Sequence, residues 1–111
     1  MPDRATRPDP LAVLRRDYAP PFLSYLAHHD EAGLRAAYEL GRRAMSRGIG
    51  LLDLVRVHNE ALAEVLPTAR TVTEAADLAQ AASVFLVEAL ASFEMAQRGF
   101  MEIGVRAERD A

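Results

Sequence analysis

The sequence predicts an all-α protein, an antiparallel four-helix bundle, and three observations lead to it. Large apolar residues recur at steps of three and four through four separate segments, the period of a single helix face. The segments are punctuated by capping residues at their starts and by glycine or proline at their ends. Half of the 111 residues are apolar and only 6% are aromatic, with alanine and leucine leading, the composition of helices that pack closely.

The first helix starts at Asp9-Pro10, with Asp9 as N-cap and Pro10 at the first helical position. Leu11, Leu14, Tyr18, Phe22, Tyr25 and Leu26 carry its stripe to about His29. Pro20-Pro21 interrupts that stripe. Two prolines remove two backbone donors and crowd the preceding turn, so a kink or a split is expected there. Asp30 caps the second helix, with Leu34, Ala37, Tyr38, Gly41, Ala44 and Met45 on its apolar face. Gly41 lies mid-helix, where glycine costs about 1 kcal/mol relative to alanine. Close approach of another backbone would compensate; simple tolerance of the cost is the alternative. Gly48 is the natural stop.

The third helix begins at Leu51, with Leu51, Leu52, Val55, His58, Leu62, Val65 and Leu66 on its inner side, and ends at Pro67. Thr71 and Glu74 then have capping-box spacing. The fourth helix runs from about Val72 towards Ala107, with a bend expected near Ala91-Ser92 because an unbroken helix would be ~50 Å long. It holds three of the four phenylalanines. Phe85, Leu86, Leu90, Phe93, Ala96 and Phe100 mark its stripe, and Leu86, Leu90, Phe93 and Phe100 are expected in the core or in a dimer seam. A straight helix of that length would protrude and need a partner over its apolar side, so a helical homodimer is expected. Residues 1–8, with two prolines and no apolar pattern, read as a flexible lead-in to a single domain over 9–111.

Several function classes are disfavoured by composition. With no cysteine there is no disulfide or thiolate metal site. A net charge of −3 without a basic run gives no electrostatic footprint for nucleic acid or anionic lipid. No apolar run approaches the ~20 residues of a membrane span, and the polar N-terminus has no signal core, so a cytoplasmic location is expected. His58 is the one histidine inside a strong helical pattern. Phosphotransfer histidines sit on four-helix bundles, but Asn59-Glu60-Ala61-Leu62 follows here, without the lysine and glycine usual after such a histidine. No second metal ligand lies at i±3 or i±4 of His58. No phosphate loop, nucleophile elbow or metalloprotease motif is present. The expectation is a non-enzyme with no metal and no cofactor.

Three stretches carry a family resemblance: Tyr38-Glu-Leu-Gly-Arg-Arg-Ala44; Gly50-Leu-Leu-Asp-Leu-Val55 with His58 and Ala61-Leu62; and Phe85-Leu-Val-Glu-Ala-Leu90 with Phe93-Glu-Met-Ala-Gln-Arg-Gly-Phe100. Together they resemble the N-terminal domain family of the phosphoserine phosphatase RsbU, a clan-level relative of the C-terminal domain of the clock protein KaiA, over about residues 11–103. The chain departs from the family at Ser92, where proline is usual, and at Pro20-Pro21. The resemblance implies an all-α dimerising module of bacterial stress signalling. Such a module binds an RsbT-like switch protein kinase and controls a PPM-type serine phosphatase. Exposed groups in the matched motifs, Tyr38, Arg42, Glu94 and Arg98, are the partner-binding candidates. Glu94 and Arg98 also have the i, i+4 spacing of an ordinary helix-surface pair. A histidine phosphotransfer or sensor module of a two-component histidine kinase is the alternative.

Overall fold

The computed structural model describes the backbone of residues 9–110 and the side chains of 9–103. The lead-in expected at residues 1–8 lies outside the described residues. Among the described residues four helices form the fold: α1 (Pro10–His28), α2 (Glu31–Ser46), α3 (Leu51–Val65) and α4 (Val72–Asp110), with a 3-10 turn at Leu66–Thr68.

The caps follow from the residues at each boundary. The Asp9 carboxylate accepts from the Leu11 amide, and that of Asp30 accepts from the Gly33 amide at 3.0 Å. At the start of α4 the Glu74 amide donates to Thr71 Oγ1 at 3.0 Å, while the Glu74 carboxylate reaches back to the Arg70 amide at 2.7 Å. Each bond satisfies a donor that a helix start leaves orphaned. Asp30→Ala is expected to lower stability by about 1 kcal/mol, read as a shift of the urea midpoint at unchanged slope. Gly48 takes φ +77 just after α2 and turns the chain towards α3, a left-handed conformation that a side chain would resist. His29 holds a similar one, φ 52, with its ring stacked 5.8 Å from Tyr25.

Helix α1 is not split. It runs unbroken for 19 residues with Pro20 and Pro21 inside it. Their missing amides leave the carbonyls of Arg16 and Asp17 without ladder partners. The buried side chains on both sides of the pair, Leu14, Tyr18, Phe22, Tyr25 and Leu26, hold the helix together; each contributes about 1.5–3 kcal/mol. Helix α4 likewise passes Ala91-Ser92 as one helix, 39 residues and about 58 Å long. By length and composition its Val72–Ile103 portion is apolar enough to cross a membrane, which amends the expectation drawn from apolar runs. In this fold it is the core helix, with Phe85 and Ala89 fully buried.

The core is an aromatic cluster. The Phe85 ring lies 5.3 Å from both Tyr18 and Phe22 and 5.9 Å from Tyr25, edge-on or tilted, the arrangement that ring quadrupoles favour. Around it close Leu14, Leu40, Leu54 and Val57. Two stripes are rotated from expectation. On α3, Leu54 and Val57 point inward whereas Leu51 and Leu52 are exposed; two overlapping lines at helical spacing existed, and packing chose the other. On α4 the buried line is Ala82, Phe85, Ala89, Ser92 and Phe93, with Leu86 and Leu90 half-buried at its flanks.

The reason lies in the most extensive interhelix contact, α2 on α4. A Cβ built on Gly41 would stand 2.1 Å from the Ala89 carbonyl oxygen and 2.0 Å from Ser92 Oγ. Only small residues fit a seam this tight, so the leucines are excluded from it. Leu34 and Tyr38 of α2 lie by Glu88, and Met45 lies by Met95 and Ala96. The two helices therefore run parallel, while α1 and α2 are antiparallel, joined at Tyr25–Gly33 and again at Asp17–Arg47, 3.8 Å.

Candidate interaction surface

Helix α2 ends at Ser46 and α4 continues past it. Beyond that point the described part of α4, to Ile103, keeps an exposed apolar side. Ser92, Met95, Ala96, Gly99, Phe100 and Ile103 recur at helical spacing and, with Tyr38, Arg42, Met45, Ser46 and Gly48, line a groove of about 900 Å3. Phe100 is 71% exposed and Ile103 69%, high values for residues of this size. Arg42 is the charged residue of the described lining, and its guanidinium carbon lies 6.0 Å from the Tyr38 ring centroid, within cation–π range.

Of the residues singled out from sequence, Tyr38 and Arg42 come together in this groove. Glu94 and Arg98 do not join them. They lie two residues on from Ser92 and Ala96, about 200° around the helix, and bond to each other. Both side chains are more than half exposed, so their pairing stabilises little. Phe93 is in the core, Leu86 and Leu90 flank it, and Phe100 is outside the core of this chain. Sequence reading gave no surface role to Met45, Met95, Ala96, Gly99 and Ile103. A signal was present: Leu78, Ala82, Phe85, Ala89, Ser92, Ala96, Gly99 and Ile103 alternate steps of four and three, the seam of a helix that packs on another helix. Its first part is covered by the bundle and its last part is the groove wall.

His58 is 2% exposed. Its Nδ1 lies 2.7 Å from the Tyr18 hydroxyl, and its ring meets the edges of Tyr18 and Phe22. Burial lowers its pKa from the ordinary histidine value of 6.5 and raises that of Tyr18, since each loses hydration of its charged form. A neutral ring already bonded inside an aromatic core is not positioned to meet a phosphodonor. Among the described residues no group of three or more His, Cys, Asp or Glu side chains is placed to hold a metal ion.

The family model for phosphoserine phosphatase RsbU, N-terminal domain, matches residues 16–96. The chain belongs to the RsbU N-terminal domain family. Comparisons with curated proteins and with solved structures gave no match. The RsbU match spans all of α2 and α3 and takes in Tyr38, Arg42, His58, Glu94 and the Gly41–Ser92 seam, while Arg98, Phe100 and Ile103 lie beyond it. Membership makes this a domain of the regulatory type found at the N-terminus of RsbU phosphatases.

Proposed function

We propose that this domain is a regulatory dimerisation and protein-interaction module of bacterial partner-switching stress signalling, without catalysis of its own. It receives an RsbT-like switch protein kinase and governs a PPM-type phosphatase in the cytoplasm. The observation that carries this reading is the uncovered end of α4. Met95, Phe100 and Ile103, all more than half exposed, line the groove on a helix whose packing seam continues past the bundle. Such surface marks a site of association, and a helix from a second copy matches the four–three spacing. Arg42, braced on Tyr38, supplies a cation beside the groove for an acidic group of the partner.

Gly99→Leu tests this without disturbing the fold, because a Cβ at Gly99 meets nothing within 4 Å. The wild type is expected to show a dimer mass by light scattering at micromolar concentration. Gly99→Leu, filling the groove, is expected to shift it to monomer with the helical content kept and with a thermal midpoint that no longer rises with protein concentration. A wild-type monomer at all concentrations, or a dimer untouched by Gly99→Leu, would remove the groove from this role.

A further inference from the structure

The proline-bearing helix α1 meets the buried histidine of α3 at Tyr18. The proline pair withdraws the amides that would bond the carbonyls of Arg16 and Asp17, so the N-terminal half, Pro10–Ala19, is tied to the rest of α1 by fewer bonds than an ordinary helix segment. That half is held on the bundle by Leu14, 2% exposed, and Tyr18, fully buried. At the surface, Arg15 pairs with Glu60 at 2.8 Å and Asp17 with Arg47 at 3.8 Å.

Tyr18 makes its bond to His58 of α3 in a dry place. Among the described residues the Tyr18 hydroxyl has no partner besides Nδ1; a buried phenol proton needs an acceptor, which assigns the phenol as donor and Nδ1 of the neutral ring, with its own proton on Nε2, as acceptor. Among the described side chains no buried nitrogen or oxygen lacks a hydrogen-bond partner. Protonation of the ring places the new proton on Nδ1, the nitrogen that faces the phenol. Two donors then oppose each other. The hydroxyl can accept only by turning its own proton away from Nδ1, and among the described residues it has no second hydrogen-bond partner. From α1 the ring faces Tyr18 and Phe22; Phe85 of α4 backs both, and none of these carries a charge to offset a cation. The nearest charged pair of that seam, Arg15–Glu60, is satisfied within itself at the surface.

We propose that the Tyr18–His58 hydrogen bond is a protonation latch: acid breaks it and frees Pro10–Ala19 from the bundle, hinged at Pro20-Pro21, while the α2–α4 seam stays closed. Deprotonated His58 holds the latch shut. A folded-state pKa below that of the unfolded chain means that the latch is fully effective above about pH 6.5 and weakens as pH falls below it. The opening exposes the Phe22–His58–Phe85 surface to a partner, a regulation separate from the groove.

Amide exchange by residue, corrected for intrinsic rates and compared between about pH 7.5 and pH 5, reads the opening directly. Residues 10–19 are expected to lose at least about tenfold in protection across that range, with 85–96 little changed. His58→Gln keeps an acceptor for Tyr18 and cannot titrate, and it leaves Arg15–Glu60 in place; it is expected to abolish the pH dependence. Loss of protection in α1 and α4 together, no loss in α1, or the same loss in His58→Gln would overturn the latch. Should that variant fail to fold, NMR titration of the wild-type His58 ring decides. The ring midpoint is expected to coincide with the opening of α1, and a separation of more than about one pH unit overturns the proposal.

Discussion

Gly41→Ala is expected to be among the most damaging single-methyl changes in this protein. On an exposed helix the same change would stabilise, by about 1 kcal/mol, through better helix propensity. Here the new methyl carbon would stand 2.1 Å from the Ala89 carbonyl oxygen and 2.0 Å from Ser92 Oγ, far inside van der Waals contact. The serine hydroxyl, which donates to Ala89 O at 3.0 Å, can rotate away only by abandoning that bond while buried. The backbone carbonyl cannot move without moving α4. Overpacking of this kind costs about 1–3 kcal/mol and more where backbone must shift, so a net loss of at least about 2 kcal/mol is expected. At roughly 4 °C per kcal/mol that is a fall in the thermal midpoint of about 8 °C or more. A calorimetric scan decides, and an unchanged or raised midpoint would mean that α2 and α4 do not approach as closely as described. The companion change Ser92→Gly should restore part of the loss, because it removes one of the two clashing atoms.

Phe85→Ala should remove about 3–5 kcal/mol, the usual cost of deleting a phenylalanine from a closed core. The ring is fully buried and touches Tyr18, Phe22 and Tyr25, all from α1. The cavity would open between α1 and α4, lined by the rings of Tyr18, Phe22 and Tyr25. A domain of this size has roughly 5–15 kcal/mol in total, so the variant should be partly unfolded at moderate temperature. Urea titration is the measurement. Phe100→Ala, by contrast, should leave monomer stability within about 0.5 kcal/mol, since that ring is 71% exposed in the single chain. The pair of results separates the α4 aromatic that builds the core from the one that does not.

Much of this was legible beforehand for a local reason. Asp9, Asp30 and the Thr71–Glu74 pair bond to amides two to four residues away, so helix starts are written into neighbouring residues. The α1 stripe was correct because only one apolar line runs along it. The α3 and α4 stripes were less so. Alanine, serine and leucine can all occupy an inner position, and the choice depends on how near the facing helix comes. Arg42 and Tyr38 stand one helical turn apart and so share a face of α2, but nothing local says that Glu94 and Arg98 turn away from them; that follows from α4's rotation, which the Gly41 seam sets.

By itself the sequence determined four helices, their boundaries within a few residues, the aromatic character of the core and membership of the RsbU N-terminal domain family. These depend on contacts within a turn or two, or on residue order. Tertiary structure alone decided that α1 survives its two prolines, that α2 and α4 run parallel in closest contact, and that α4's seam outlasts the bundle and leaves a groove. Each of those depends on which surfaces meet across the fold, where burial of distant side chains outweighs the local cost of a proline or a glycine.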